Sequence, residues 1–328
     1  MTQLASTETQ ADRTLQAIEP LRRPRSGVGH SADIAFRVGL TAAAGLVLAV
    51  LGFMIVRTTQ TAFPIFQDHG WELISSERWA PSVGAFGALA FLFGTVVTSL
   101  IAVVLAVPVS IGIALFVNDV APRRLRTPLV YLVELLAAVP SVVYGLWCLI
   151  VLIPILQDHV YPWISDVLGF IPIFGSPVYG RSVATAGIIL AIMIVPIVTA
   201  ITREVTALVP RDQKEAALAL GATRWEMLRL SVLPYSRAGI IGAVMLGFGR
   251  AVGETIAVAL VIGGTIQISS SIFQPGYTIA SVIASTFNEA TGDQIRALVA
   301  IGVLLFVITI AVNVAGRIFV WRAARGLQ

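Results

Sequence analysis

FGALAFLFGTVVTSLIAVVLAVPVSIGIALFV, residues 86–117, carries no charged side chain from end to end. As an α-helix rising 1.5 Å per residue it is about 48 Å long, more than the roughly 30 Å of a bilayer's hydrocarbon core. A helix of a soluble protein keeps a polar face toward water, and this run has none. The rest of the chain agrees. Of 328 residues, 57% are hydrophobic and 12% charged, with a mean hydropathy of +0.88. Soluble chains carry about 25% charged residues. The length alone would suit two soluble domains, but the composition points to an integral membrane protein. The spans are helical, because a helix satisfies its own backbone polar groups in lipid.

Outward from that stretch, five more runs are long and apolar enough to span. They are Val38–Val56, Leu129–Leu156 with Glu134 inside it, Val183–Ile201, Ala238–Gly264 with Arg250 and Glu254, and Ala297–Gly316. Pro108, Pro140 and Pro196 fall within spans two to four, where kinks are tolerated if neighbours satisfy the freed carbonyls. Six spans put both termini on one side. Segments 1–37, 118–127, 203–237 and 317–328 hold 17 of the 22 Lys and Arg residues. Positive residues gather on the cytoplasmic side, so both termini are expected there. Residues 1–33 are polar, lack a signal-peptide layout, and read as a disordered cytoplasmic tail. Residues 34–328 read as one six-span domain. Val167–Tyr179 is apolar but broken by Gly169, Pro172, Gly175 and Pro177, and reads as an interfacial or re-entrant piece.

Several chemistries are excluded at this level. The one lysine, Lys214, is followed by Glu215, so the chain has no GxxxxGK[ST] phosphate loop. One cysteine, Cys148, allows no intrachain disulfide and no cysteine zinc cluster. His30, His69 and His159 lie far apart, so no metal or other cofactor is expected. No span pairs Ser with His or Asp with Asp in a way that supports an enzyme. The net charge of +4 and pI near 9.6 follow from topology, not nucleic-acid binding.

Two features carry function. The loop Thr202–Arg237, TREVTALVPRDQKEAALALGATRWEMLRLSVLPYSR, is too patterned for a slack linker. Asp212 is placed to cap a helix after Pro210, Gly221 interrupts it, and Trp225–Leu230 forms a second short amphipathic turn that Pro234 ends. The other feature is the charge within span five. A charge at the bilayer centre costs about 2.5–3.5 kcal/mol, which makes intramembrane ionisable residues functional candidates. Arg250 and Glu254 are four apart and expected on one helix face, and Gly249–Gly253 is a GxxxG pair that favours close helix approach. They form either an internal ion pair that eases insertion or a functional pair. Glu134 is either a path residue or a charge near the inner interface, and Asn313 and Arg317 read as interfacial anchors.

Glu215-Ala216-Ala217, then Gly221, then Leu233-Pro234 resembles the EAA loop of ABC importer permeases, with Ser231 where an apolar residue is usual. With ELLAAVPSVVYGLW (Glu134–Trp147) and GRAVGETIAVALVIGG (Gly249–Gly264), spans two to six are similar to the phosphate ABC transporter permeases of PstC type. Cys148 stands where those relatives often have Gly. The resemblance implies a type I ABC importer permease fold in a bacterial cell membrane. It implies a PstA-type permease partner, PstB-type ATPase subunits that bind the loop at Glu215, Ala216, Ala217 and Gly221, and an extracytoplasmic phosphate-binding protein. Arg250 and Glu254 become translocation-path residues for inorganic phosphate, and Glu134 stays a candidate for the same path beside its interfacial alternative. The alternatives are a permease for molybdate or sulfate, or a secondary anion transporter.

Overall fold

The computed structural model describes residues 27–325, with side-chain surroundings over residues 31–318. The tail expected over residues 1–33 lies outside the described residues up to Ser26, and from Gly27 onward the chain is helical. Six described helices are long and apolar enough to cross a membrane: Ser31–His69, Leu89–Val120, Ser141–Leu168, Val183–Ala207, Arg224–Gly253 and Asp293–Ile318.

The chain divides into two compact units, residues 1–57 and 58–328. The described part of the first belongs to helix α1 (Gly27–His69). Over residues 31–57 its side chains are exposed, apolar Leu46, Leu48 and Phe53 among them, a surface suited to lipid.

The second unit is built on α2 (Leu89–Leu115) and α5 (Val183–Ala207). Small residues line their contact: Ala102 and Ala106 on α2, Ala186 and Ala191 on α5, all buried. In lipid, where apolar side chains gain little by leaving the solvent, such residues let backbones approach closely. Buried hydroxyls bind carbonyls: Thr98 Oγ1 donates to Gly94 O at 2.8 Å and Ser110 Oγ crosses to Val195 O at 3.2 Å. Around this pair run α3 (Arg123–Ala138), α4 (Ser141–Trp147), α8 (Leu233–Gly253) and α11 (Asp293–Arg325). The loop Thr202–Arg237 contributes α6 (Arg211–Ala219) and α7 (Arg224–Met227). Two short helices, α9 (Ile256–Val261) and α10 (Ile279–Thr286), follow α8.

At the end away from loop 202–237, a two-residue antiparallel pairing sets Trp79 opposite Phe86. Trp79 meets Phe86 and Phe91 edge-on at 5.4 and 5.1 Å. This cluster gathers Ala62 and Ile65 with Ile279, Val282, Leu298 and Ile301. At the same end residues 173–184 interlock with 271–276: Ile272 N donates to Ile173 O, Tyr179 N to Phe273 O and Ala184 N to Ile272 O, at 2.8–3.1 Å. Val167–Tyr179 includes the end of helix Tyr161–Leu168 and a short 3₁₀ turn at Pro172–Phe174.

Two of the boundaries that differ from the sequence reading lie at prolines. The third span does not run Leu129–Leu156. Val139 and Pro140 are extended, with ψ 128° and 140°, so α3 ends before Pro140 and the span is Ser141–Leu168. Proline disfavours helical backbone in the residue before it and suits a helix start. Pro234, expected to end the second turn of the loop, instead lies in the first turn of α8. A wide turn at Leu228–Val232 carries α7 into α8 without a break, and its i→i−5 spacing accommodates the N–H that Pro234 lacks.

Candidate functional site

The fifth span ends earlier than Gly264. Helix α8 stops at Gly253, and Glu254 has extended backbone with ψ 130°. Gly249 and Gly253 are poor helix formers, and Thr255 Oγ1 donates back to Gly253 O at 3.2 Å, occupying a terminal carbonyl. Arg250 stays in the last helical turn while Glu254 leaves it, so the expected shared helix face is not formed. Among the described residues neither is in an ion pair. The expected GxxxG approach is also displaced. No side chain comes within 4 Å of where a Cβ on Gly253 would sit, whereas on Gly247 it would lie 2.7 Å from Val198 Cγ2. Gly247, with Gly239 against Val205, is where α8 closes on α5.

The arginine opens into space. Arg250 is exposed and lines an open groove of about 510 Å³ with Ile197 of α5, Met245, Leu246 and Gly249 of α8, and Thr309 and Asn313 of α11. Thr309 and Asn313, four residues apart on an apolar helix, share a face and bring the groove a hydroxyl and an amide. The sequence suggests an interfacial anchor at Asn313 and no role for Thr309. The signal available was that i, i+4 polar pair, which only the packing of α11 on α8 connects to Arg250. Guanidinium offers a planar fork of donors matched to oxyanions, and an arginine with no carboxylate partner keeps those donors for a passing ligand.

Glu134 is elsewhere. Its Oε1 lies 3.5 Å from Arg203 of α5, beside a small cavity lined by Val117, Val133, Thr199 and Arg203. No residue lines both this cavity and the Arg250 groove. The structure therefore brings Arg250 together with Thr309 and Asn313, and leaves Glu134 with Arg203.

Loop 202–237 folds into a compact knob. Pro210, not Asp212, occupies the cap position of α6, and Asp212 lies in its first turn, where a carboxylate favours the helix dipole. Gly221 ends the helix at φ +87°, a left-handed conformation costly for residues with a Cβ. Thr223 then starts α7 with a capping box: Thr223 Oγ1 accepts from Glu226 N at 3.3 Å, and Thr223 N donates to Glu226 Oε2 at 2.8 Å. Ala217 packs on a cluster of Leu115, Val209, Met227, Leu228 and Val232. Glu215 and Ala216 face outward, and Leu220 and Trp225 are 90% and 64% exposed. Among the described residues, no three His, Cys, Asp or Glu side chains group to hold a metal.

A multi-pass helical membrane protein with an arginine-lined groove and a structured loop knob fits a transport subunit, and comparison with known proteins agrees. Residues 106–325 match the family model described as binding-protein-dependent transport system inner membrane component. The phosphate transport system permease protein PstC of Xylella fastidiosa is 44% identical over 90% of this chain and 92% of that protein. Its counterpart in Mesorhizobium japonicum is 45% identical over 88% and 90%, and PstC 2 of Mycobacterium tuberculosis 41% over 86% and 90%. A membrane chain of an inward-facing MetNI methionine ABC transporter structure superposes with a TM-score of 0.55 at 14% identity, over 75% of this chain and 99% of that one. That likeness is one of fold: the type I ABC importer permease.

The chain belongs to the PstC family of binding-protein-dependent transport system inner membrane components. It is thus a transport component rather than an enzyme.

Proposed function

We propose that this chain is the transmembrane permease subunit of an ATP-driven phosphate importer, supplying half of the translocation path. The observation that carries the reading is Arg250, without a carboxylate partner and open to the groove it shares with Thr309 and Asn313; the PstC relatives, alike over about nine-tenths of the chain, support phosphate as the cargo. Arg250 offers charge-assisted hydrogen bonds to phosphate oxygens, and Thr309 and Asn313 add neutral partners. A path must bind its ion well enough to admit it and weakly enough to release it. One arginine in an open groove meets both demands better than an enclosed cluster.

Glu254, half-buried where α8 ends, accepts a hydrogen bond from a protonated phosphate oxygen and repels fully ionised anions such as sulfate. Glu134, paired with Arg203, steadies the loop-bearing end rather than lining the path. The knob at Glu215, Ala216, Ala217 and Gly221 couples to a separate ATPase of PstB type, supported by the exposed Leu220 and Trp225, apolar groups that gain from burial in a partner. The remaining partners are a PstA-type permease, facing the groove, and an extracytoplasmic phosphate-binding protein. Both termini and the knob lie in the cytoplasm, and the membrane is the bacterial inner or plasma membrane.

ATP binding closes the ATPase pair, the knob moves, and the groove opens outward to receive phosphate from the binding protein; hydrolysis resets it. The test is complementation of cells lacking this chain, assayed by labelled phosphate uptake at low external concentration with excess sulfate or molybdate as competitors. Phosphate uptake that needs the co-expressed ATPase and ignores both competitors is expected. Uptake of sulfate or molybdate instead refutes phosphate as cargo, and uptake without the ATPase refutes the ATP-driven reading in favour of a secondary transporter.

A further inference from the structure

The lysine that marks the absence of a nucleotide-binding loop has its own partner. Lys214, on α6 one residue before the Glu215-Ala216-Ala217 string, places Nζ 2.5 Å from Oδ1 of Asp119. Asp119 lies in the wide turn Phe116–Val120 that extends α2. Both side chains are largely withdrawn from solvent, with exposures of 19% for Lys214 and 8% for Asp119. A surface ion pair contributes little, but a shielded pair resists screening, and removing one member strands the other's charge. The second carboxylate oxygen, Asp119 Oδ2, is buried with no hydrogen-bond partner among the described residues, so Lys214 alone compensates this carboxylate.

The next residue back is tied just as firmly, to a different element. Asn118 Nδ2 donates to Arg203 O at 2.6 Å and to Thr206 Oγ1 at 2.7 Å, both on α5, while Arg126 of α3 donates to Asn118 Oδ1 at 3.2 Å. Two adjacent residues at the end of α2 therefore hold the last turn of α5, the first turn of α3 and the knob. The apolar contact beside them, Ala217 with Leu115, Val209 and Met227, is non-directional and permits sliding; the ion pair is the directional connection between knob and α2.

We propose that the Lys214–Asp119 ion pair is the joint through which movement of the loop knob is passed to α2, and through Asn118 to α5, whose Ile197 lines the Arg250 groove. Lys214 and Asp119 are positioning residues: they touch neither cargo nor nucleotide. The inference rests on the reading of loop 202–237 as the ATPase-coupling element. It assigns the route by which coupling reaches α2, beside the covalent continuity of the knob with α5 and α8.

The test uses the whole transporter, this chain with its partner permease, ATPase and binding protein, in proteoliposomes. Anion imported per ATP hydrolysed is measured with phosphate, sulfate and molybdate offered separately. Lys214→Met, which keeps an unbranched stem, and Asp119→Asn are compared with the double variant Lys214→Asp/Asp119→Lys. Each single variant is expected to retain ATP hydrolysis and co-purification of the ATPase, while anion moved per ATP falls by at least about fivefold, the lower range of measured allosteric couplings. The double variant, with the pair reversed, is expected to recover most of that ratio. Unchanged ratios in the single variants overturn the joint. So does a parallel loss of hydrolysis, uptake and ATPase co-purification, which would make the pair a support for the docking surface. A wild type that imports sulfate or molybdate refutes the phosphate reading separately, because the ratio is then read with that anion.

Discussion

Arg250 in the last turn of α8, Glu254 just past it, and Asn313 across the groove set what each substitution does. Arg250→Ala removes charge-assisted donors worth about 1.5–3 kcal/mol, so phosphate uptake is expected to fall about 10- to 100-fold with the protein's membrane level unchanged, checked by uptake and immunoblot together. Asn313→Leu removes a neutral partner worth about 0.5–1.5 kcal/mol. The apparent KM for phosphate is expected to rise about two- to tenfold, and an unchanged KM would return Asn313 to an interfacial role. Glu254→Gln keeps size and hydrogen bonding but loses the charge. Labelled sulfate uptake, expected to be absent in the wild type, is expected to appear, and its continued absence would show that Glu254 does not exclude anions that lack a proton to donate. The identities of Arg250 and Glu254 as candidates were plain in the sequence, since charges stand out in apolar runs. Their relation was not, because it turns on where α8 stops. Glycine, glutamate and threonine in succession leave that boundary to tertiary hydrogen bonds such as Thr255 to Gly253.

Elements were legible where composition alone decides and less so where neighbours do. The uncharged run 86–117 appears as a helix over Leu89–Leu115 and its extension, since nothing else satisfies its backbone in lipid. Prolines were harder. Pro108 and Pro196 sit inside helices, Pro140 precedes a new one, and Pro234 lies in a first turn. One residue type takes all these roles, and only the packing of adjacent turns separates them. Gly247 is one position at which helix packing is exacting. A Cβ there would lie 2.7 Å from Val198 Cγ2, so Gly247→Val is expected to destabilise the protein by about 1–3 kcal/mol through overpacking, read as a lower melting temperature in detergent. In the knob, Gly221→Ala forces a φ of +87° on a residue that resists it by about 1–2 kcal/mol. Faster proteolysis within 202–237 and reduced uptake are expected, with the fold of the spans intact by circular dichroism.

At the scale of the whole molecule, charge distribution and helix count together determine what faces each side of the membrane. With 17 of 22 basic residues in alternate segments, the positive-inside tendency predicts loop 202–237 in the cytoplasm and segment 157–182 outside. Cys148 is wholly buried, so single cysteines are readable against it. Trp225→Cys is expected to react with a membrane-impermeant thiol reagent only in inverted vesicles, and Trp163→Cys only in intact cells or spheroplasts. The opposite pattern would invert the topology. The cargo is a property at this scale as well, because the groove at Arg250 is open and the proposed partner permease would complete it. Composition and spacing establish a membrane protein; the motifs, the groove and the relatives together lead to phosphate. The most direct measurement is therefore ATP-dependent entry of labelled phosphate into proteoliposomes carrying the full transporter, wild type against Arg250→Ala, with sulfate in excess. Wild-type import that sulfate does not compete away and that falls at least about tenfold in Arg250→Ala is the predicted result. Equal phosphate import by the two proteins, or import of sulfate in its place, would contradict it.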